Sequence, residues 1–160
     1  GLGEQVGRAG AAAAREKYGE IPLDVCFASP LKRALETAEI FLKGRTVPIY
    51  TDDRLKEMFF GDFEGEYDIL KHPEYPIYPL FADPANYVPT GGTESYPELY
   101  ARLEAFLKEK VQPRLDKGEN VLIVAHGAVN CCLLSIVRKT PLADIWKPFH
   151  PNCALIQAEE

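Results

Sequence analysis

Long apolar runs are missing from this chain of 160 residues. None approaches the roughly 18 residues that would cross a bilayer as a helix, and the start does not read as a signal peptide. An excess of positive charge is missing too. The net charge is -6 and the pI about 5.2, which argues against a nucleic-acid binder, whose face would be basic. A few focused cations can still hold an anion against a negative average. Cysteine pairs are absent. Cys26, Cys131, Cys132 and Cys153 form no C-x-x-C, and neighbours such as Cys131 and Cys132 point to different faces of any regular element. They read as small buried hydrophobes in a reducing cytoplasm, with no metal expected. No G-x-G-x-x-G follows a strand, so a dinucleotide-binding fold is disfavoured. Repeats and low-complexity tracts are also lacking.

What is present is ordinary for one globular domain spanning residues 1–160: 46% hydrophobic, 26% charged and 11% aromatic residues. A chain this long buries roughly 70% of the surface it exposes when unfolded, so it needs no staples. Residues 3–18 predict a helix ending near Gly19. Leu23 to Ala28 predicts a buried strand, and Ser29-Pro30 a helix start with Ser29 as N-cap. Pro48 to Thr51 suits a short strand. Residues 52–92 are irregular and broken by Pro73, Pro76, Pro79, Pro84 and Pro89, with a short helix expected near Tyr67 to Lys71. Ser95 and Glu98 form a capping box that opens one long helix. Val121 to Ala125 is a fully apolar strand. Helices are expected at 128–138 and 142–147, and a last strand at Ala154 to Gln157. Apolar strands alternating with amphipathic helices imply an α/β fold: a three-layer sandwich in which an open, mostly parallel sheet carries helices on both faces.

Two strand-to-helix junctions carry the chemistry. In open α/β sheets, ligands bind beyond the carboxyl ends of the strands, where helix N-termini favour anions. Arg33 lies in the first turn after the first junction, an electrostatically poor place for a cation unless it faces an anion. Its donor fork suits phosphate oxygens. His126 ends the apolar strand, and Gly127 behind it admits a ligand to the backbone. Glu57 sits beside Met58, Phe59 and Phe60. Partial desolvation there would raise its pKa and keep it protonated, as a general acid requires. Taken singly, each has a plain reading: a solvated helix arginine, a hydrogen-bonded strand-end histidine, a surface glutamate.

Together the segments resemble the phosphoglycerate mutase-like branch of the histidine phosphatase superfamily. Ala28-Ser29-Pro30-Leu31-Lys32-Arg33-Ala34 is similar to its S-S-P-L-x-R-A motif, and Leu55 to Gly65 to its L-x-E-x-x-F-G-x-W-E-G, with Phe63 for the tryptophan. Thr90 to Arg102 resembles its G-G-E-S-x-x-E segment with Thr93 as an extra residue. Val121 to Gly127 and His150 to Glu159 resemble its last two strands. The resemblance implies a phosphatase acting through a phosphohistidine on a small phosphorylated metabolite, without metal or cofactor. It assigns Arg33 and His126 to the phosphate pocket and Glu57 to proton donation. It assigns the attack to a histidine in an Arg-His-Gly motif that these residues do not contain, since neither His72 nor His150 fits that context. Gly1 to Gln5 resembles the family's segment just after that strand. The sequence is therefore expected to begin behind its catalytic strand and to be inactive alone; a slot between the two main strands goes with an omitted strand, and direct pairing with a natural short form. A mutase and a non-catalytic phosphate-binding module are the alternatives. The short stretch from Glu57 to Gly91 favours hydrolysis over mutase activity.

Overall fold

The computed structural model describes residues 2–63 and 71–147. The expected last strand, Cys153, His150 and most of the expected helix at 67–71 lie outside the described residues. Three short strands, β1 (Val25–Ala28), β2 (Ile49–Thr51) and β3 (Val121–Val124), form a parallel sheet in the order β2-β1-β3. Helix α1 (Leu2–Tyr18) leads into β1, and α2 (Lys32–Phe41) connects β1 to β2. After β2 come short 3-10 turns, the five-residue α3 (Tyr78–Ala82) and α4 (Tyr96–Phe106). Then follow α5 (Gln112–Asp116), β3 and α6 (Gly127–Arg138).

Alternation along the strands decides which helix lies on which face, because successive side chains point to opposite sides. Cys26 and Ala28 of β1 pack with Ala14, Ala38, Phe41 and Leu122, so α1 and α2 cover one face. Val25 and Phe27 pack with Leu99, Leu103, Phe106, Val129 and Cys132, so α4 and α6 cover the other. All four residues of β1 are buried. That is the pattern of a central strand with helices on both sides. Burial pushes the Cys26 and Cys132 thiols up to about 12, as suits packing groups rather than reactive ones. Cys131 is only half-buried, against the expectation for it.

No slot separates the main strands: β1 and β3 pair directly, with Val25 opposite Val121 and Ala28 opposite Val124. Chain order does not set strand order, and two equally apolar runs are best buried side by side. Among the described residues, β3 pairs on one side only. Two expectations need correction. The expected single helix after Ser95 is interrupted by a π turn at Leu107–Val111, where the Gln112 N–H donates to the Leu107 carbonyl. Pro113 explains it: a proline ring clashes with the carbonyl four residues back, and the wider turn relieves the clash. Finally, Ser29 does not cap α2, which starts at Lys32 with Leu31 in the cap position.

Candidate active site

Parallel pairing brings the carboxyl ends of β1 and β3 to one edge of the sheet. There the Ser29 N–H donates to the Val124 carbonyl at 2.9 Å. The Ser29 side chain serves the site rather than the helix. Its hydroxyl accepts the Leu31 N–H at 3.3 Å and lies 2.9 Å from Nε2 of His126. His126 occupies the N-cap position of α6 with extended backbone and is buried. Burial pushes its pKa down from 6.5. The Glu57 carboxylate opposes that shift, and the Arg33 guanidinium adds to it. Both charges therefore reach the imidazole, and its neutral form is favoured near pH 7.

Arg33 stands exposed in the first turn of α2. Among the described residues its guanidinium has no hydrogen-bond or ion-pair partner. Among the described residues, and apart from Gly127's chain neighbours and its own helix backbone, nothing lies within 4 Å of where a Cβ on Gly127 would sit.

Glu57 is half-buried and reaches across to α6. Its Oε2 accepts the Ala128 N–H at 3.3 Å, and its Oε1 accepts those of Val129 at 3.2 Å and Met58 at 3.0 Å. The sequence reading expects an anion at this helix start; the structure puts the protein's own carboxylate beside it. The arrangement gathers a cation, a neutral histidine, a helix N-terminus and a carboxyl group around one strand edge. Such a set can hold a tetrahedral oxyanion and exchange a proton with a group bound to it.

The loop bearing Glu57 is locked to the glycine turn before α4. Gly61 has φ +55°, and a Cβ there would lie 2.1 Å from the Gly91 carbonyl oxygen. The Asp62 N–H donates to that oxygen at 2.8 Å. Thr93, the extra residue in the motif, closes the turn. Its hydroxyl accepts the Thr90 N–H, donates to the Thr90 carbonyl and is hydrogen-bonded to the Tyr87 hydroxyl. Gly61→Ala combines left-handed strain with overlap on backbone and is expected to cost roughly 2–4 kcal/mol. A urea midpoint giving a loss under about 0.5 kcal/mol would contradict the tight contact.

Sequence reasoning missed Ser29 as a partner of His126, and Glu94 and Arg102 altogether. Glu94 had a visible signal, an acid between a glycine turn and a helix cap. Arg102 had none. Among the described residues, no group of three or more His, Cys, Asp or Glu is placed to hold a metal ion, and no helix is long and apolar enough to cross a membrane.

A parallel sheet with helices on both faces defines an α/β protein, and this cluster lies at the carboxyl edge of the sheet. The chain belongs to branch 1 of the histidine phosphatase superfamily, whose family model matches residues 4–159. It is 37% identical over 126 residues to the 2,3-bisphosphoglycerate-dependent phosphoglycerate mutase of Cytophaga hutchinsonii, covering 76% of this chain and 59% of that one. It is 35% identical over 130 residues to the adenosylcobalamin/alpha-ribazole phosphatase of Salmonella typhimurium, covering 78% and 61%. The chain thus spans about three fifths of the length of these relatives. Among solved structures it is similar to Bacillus stearothermophilus YhfR, with a TM-score of 0.74 and 35% identity over 89% of this chain and 70% of that one. It also resembles a mycobacterial glucosyl-3-phosphoglycerate phosphatase in complex with inorganic phosphate. That match has a TM-score of 0.71 and 28% identity over 88% of this chain and 71% of the other.

Proposed function

We propose that residues 1–160 form one histidine phosphatase domain of an enzyme that hydrolyses a small phosphate monoester through a phosphohistidine. The observation that carries this reading is the meeting of Arg33, His126 and Glu57 at the carboxyl edge of β1 and β3, with Glu57 bonded to the start of α6. Arg33 and His126 bind the phosphoryl oxygens, and the open backbone at Gly127 lets that group approach α6. An attacking imidazole nitrogen forms the bond to phosphorus as the ester P–O bond breaks. Glu57 passes its proton to the leaving oxygen. Water then attacks the phosphohistidine, Glu57 takes up the water's proton, and inorganic phosphate leaves. The attacking histidine is assigned by resemblance to an Arg-His-Gly segment that residues 1–160 do not contain. The pocket cation stabilises charge on the equatorial oxygens during both transfers.

The relatives include a mutase and phosphatases, and the short connection from Glu57 to Gly91 supports hydrolysis. The test is to incubate the full natural chain with phosphorylated sugars, glycerates, nucleotides and cofactor precursors. Inorganic phosphate should be released from at least one, with label trapped on histidine under alkaline conditions. Phosphate moved to a new position on a glycerate, without release, would make it a mutase. Binding with neither product would make it a non-catalytic module.

A further inference from the structure

The Glu57 loop turns around a single guanidinium. Arg102, on α4, has five N–H groups, and each finds an acceptor. Nε donates to Glu94 Oε2 at 2.8 Å and Nη2 to Glu94 Oε1 at 3.0 Å. Nη1 donates to the carbonyls of Arg54 and Lys56, the latter at 2.8 Å, and Nη2 to the carbonyl of Glu57 at 3.4 Å. Glu94 completes the clamp. Its Oε1 accepts the Phe59 N–H at 3.1 Å, and its own N–H donates to the Phe59 carbonyl at 2.8 Å. The pair is largely withdrawn from solvent, with side chains 22% and 12% exposed.

Besides the bonds from α6 to the Glu57 carboxyl, two kinds of restraint act on the loop. Leu55 and Met58 are fully buried pegs that fix its depth in the core. Pegs alone leave the chain between them free to rotate. The carbonyl contacts at 54, 56 and 57 and the amide contact at 59 remove that freedom. Between the pegs lie Lys56 and Glu57, and the Glu57 carboxyl group must meet a leaving oxygen. We propose that Arg102 and Glu94 are positioning residues that hold the Glu57 carboxyl in line with that oxygen. This rests on the reading of Glu57 as proton donor. Lysine cannot replace the arginine, because three donors on one nitrogen cannot serve a carboxylate fork and three separate carbonyls.

The experiment compares two substrates in the full natural chain: an alkyl phosphate, whose leaving oxygen needs a proton, and 4-nitrophenyl phosphate, whose leaving oxygen does not. Glu57→Gln is the reference and should lower kcat on the alkyl ester about 100-fold, with a much smaller effect on the nitrophenyl ester. Arg102→Lys should follow the same pattern at roughly 10-fold, since a misplaced acid retains part of its effect, with KM little changed. In the double variant the Arg102 change should add nothing, because a group that acts only through Glu57 has nothing left to act on. Glu94→Gln, which keeps one acceptor for Arg102 and Phe59, should lie between wild type and Arg102→Lys, and it serves if Arg102→Lys does not fold. Equal losses on both esters, or additive losses in the double variant, would reduce the clamp to a structural support and overturn the proposal. A Glu57→Gln variant with equal losses on both esters would instead remove the proton-donor reading, and this proposal with it.

Discussion

Replacing Arg33 with alanine in the full natural chain is expected to lower kcat/KM for phosphate monoesters on the order of 1000-fold. Inorganic phosphate, if it binds this pocket in the folded state, should raise the Tm, and the same change should abolish that rise. Stability without ligand should hardly move, within about 0.5 kcal/mol. The reasons are local. The guanidinium is exposed and, among the described residues, bonds to nothing, so no contact is lost with it. It also stands in the first turn of α2, where the helix dipole disfavours a cation by a few tenths of a kcal/mol. Removing it relieves that conflict. A residue kept where the fold does not want it is best explained by a ligand that does. Arg33→Lys keeps the charge but not the two-pronged geometry and should fall between the two. An alanine variant with unchanged kcat/KM would place the phosphate elsewhere.

That conflict is also why Arg33 was legible in the sequence. His126 was legible for a related reason, since a polar residue closing a fully apolar strand stands out. Both lie at strand-to-helix junctions, and parallel strands end at the same edge, so the pattern alone brings them together. The helices on both faces followed from the same alternation of elements. Local signals misled where a side chain had a distant competitor. Ser29 has the chemistry of an N-cap, yet its hydroxyl bonds to a histidine 97 positions away, and α2 starts later. Glu57 was recognised by motif, but its contact with α6, 71 positions on, leaves no local trace. Arg102 reads as one polar residue on an amphipathic helix. Its role depends on three carbonyls pointing inward from a loop, and carbonyls are the same at every position in a sequence. Strand order was hidden in the same way. Nothing in two apolar runs says which neighbour each will take, so neither a slot nor direct pairing between β1 and β3 could be read from them.

His126 ties the site to pH, and its replacement should show in two independent measurements. The imidazole is buried beside Arg33, and burial together with that charge outweighs the Glu57 carboxylate, so its pKa lies below the ordinary 6.5. In the window between the folded value and 6.5, the unfolded chain binds a proton that the folded chain does not. Stability therefore rises with pH across that window. The contribution is complete above about pH 6.5 and is lost as pH falls through it toward the folded value. Denaturant unfolding of the wild type from pH 7.5 to 5 should show this slope, and His126→Asn should remove its share. His126 sits at the N-cap of α6, a position where asparagine is favoured, so the fold should persist at pH 7.5. Catalysis should not. If the imidazole faces the phosphoryl oxygens as proposed, kcat should fall on the order of 1000-fold for alkyl and nitrophenyl esters alike. That equal loss separates His126 from Glu57, whose effect depends on the leaving group. A His126→Asn variant that kept the acid-side slope would move the titration to another group. One that lost activity only on the alkyl ester would make His126, not Glu57, the residue that handles the leaving oxygen.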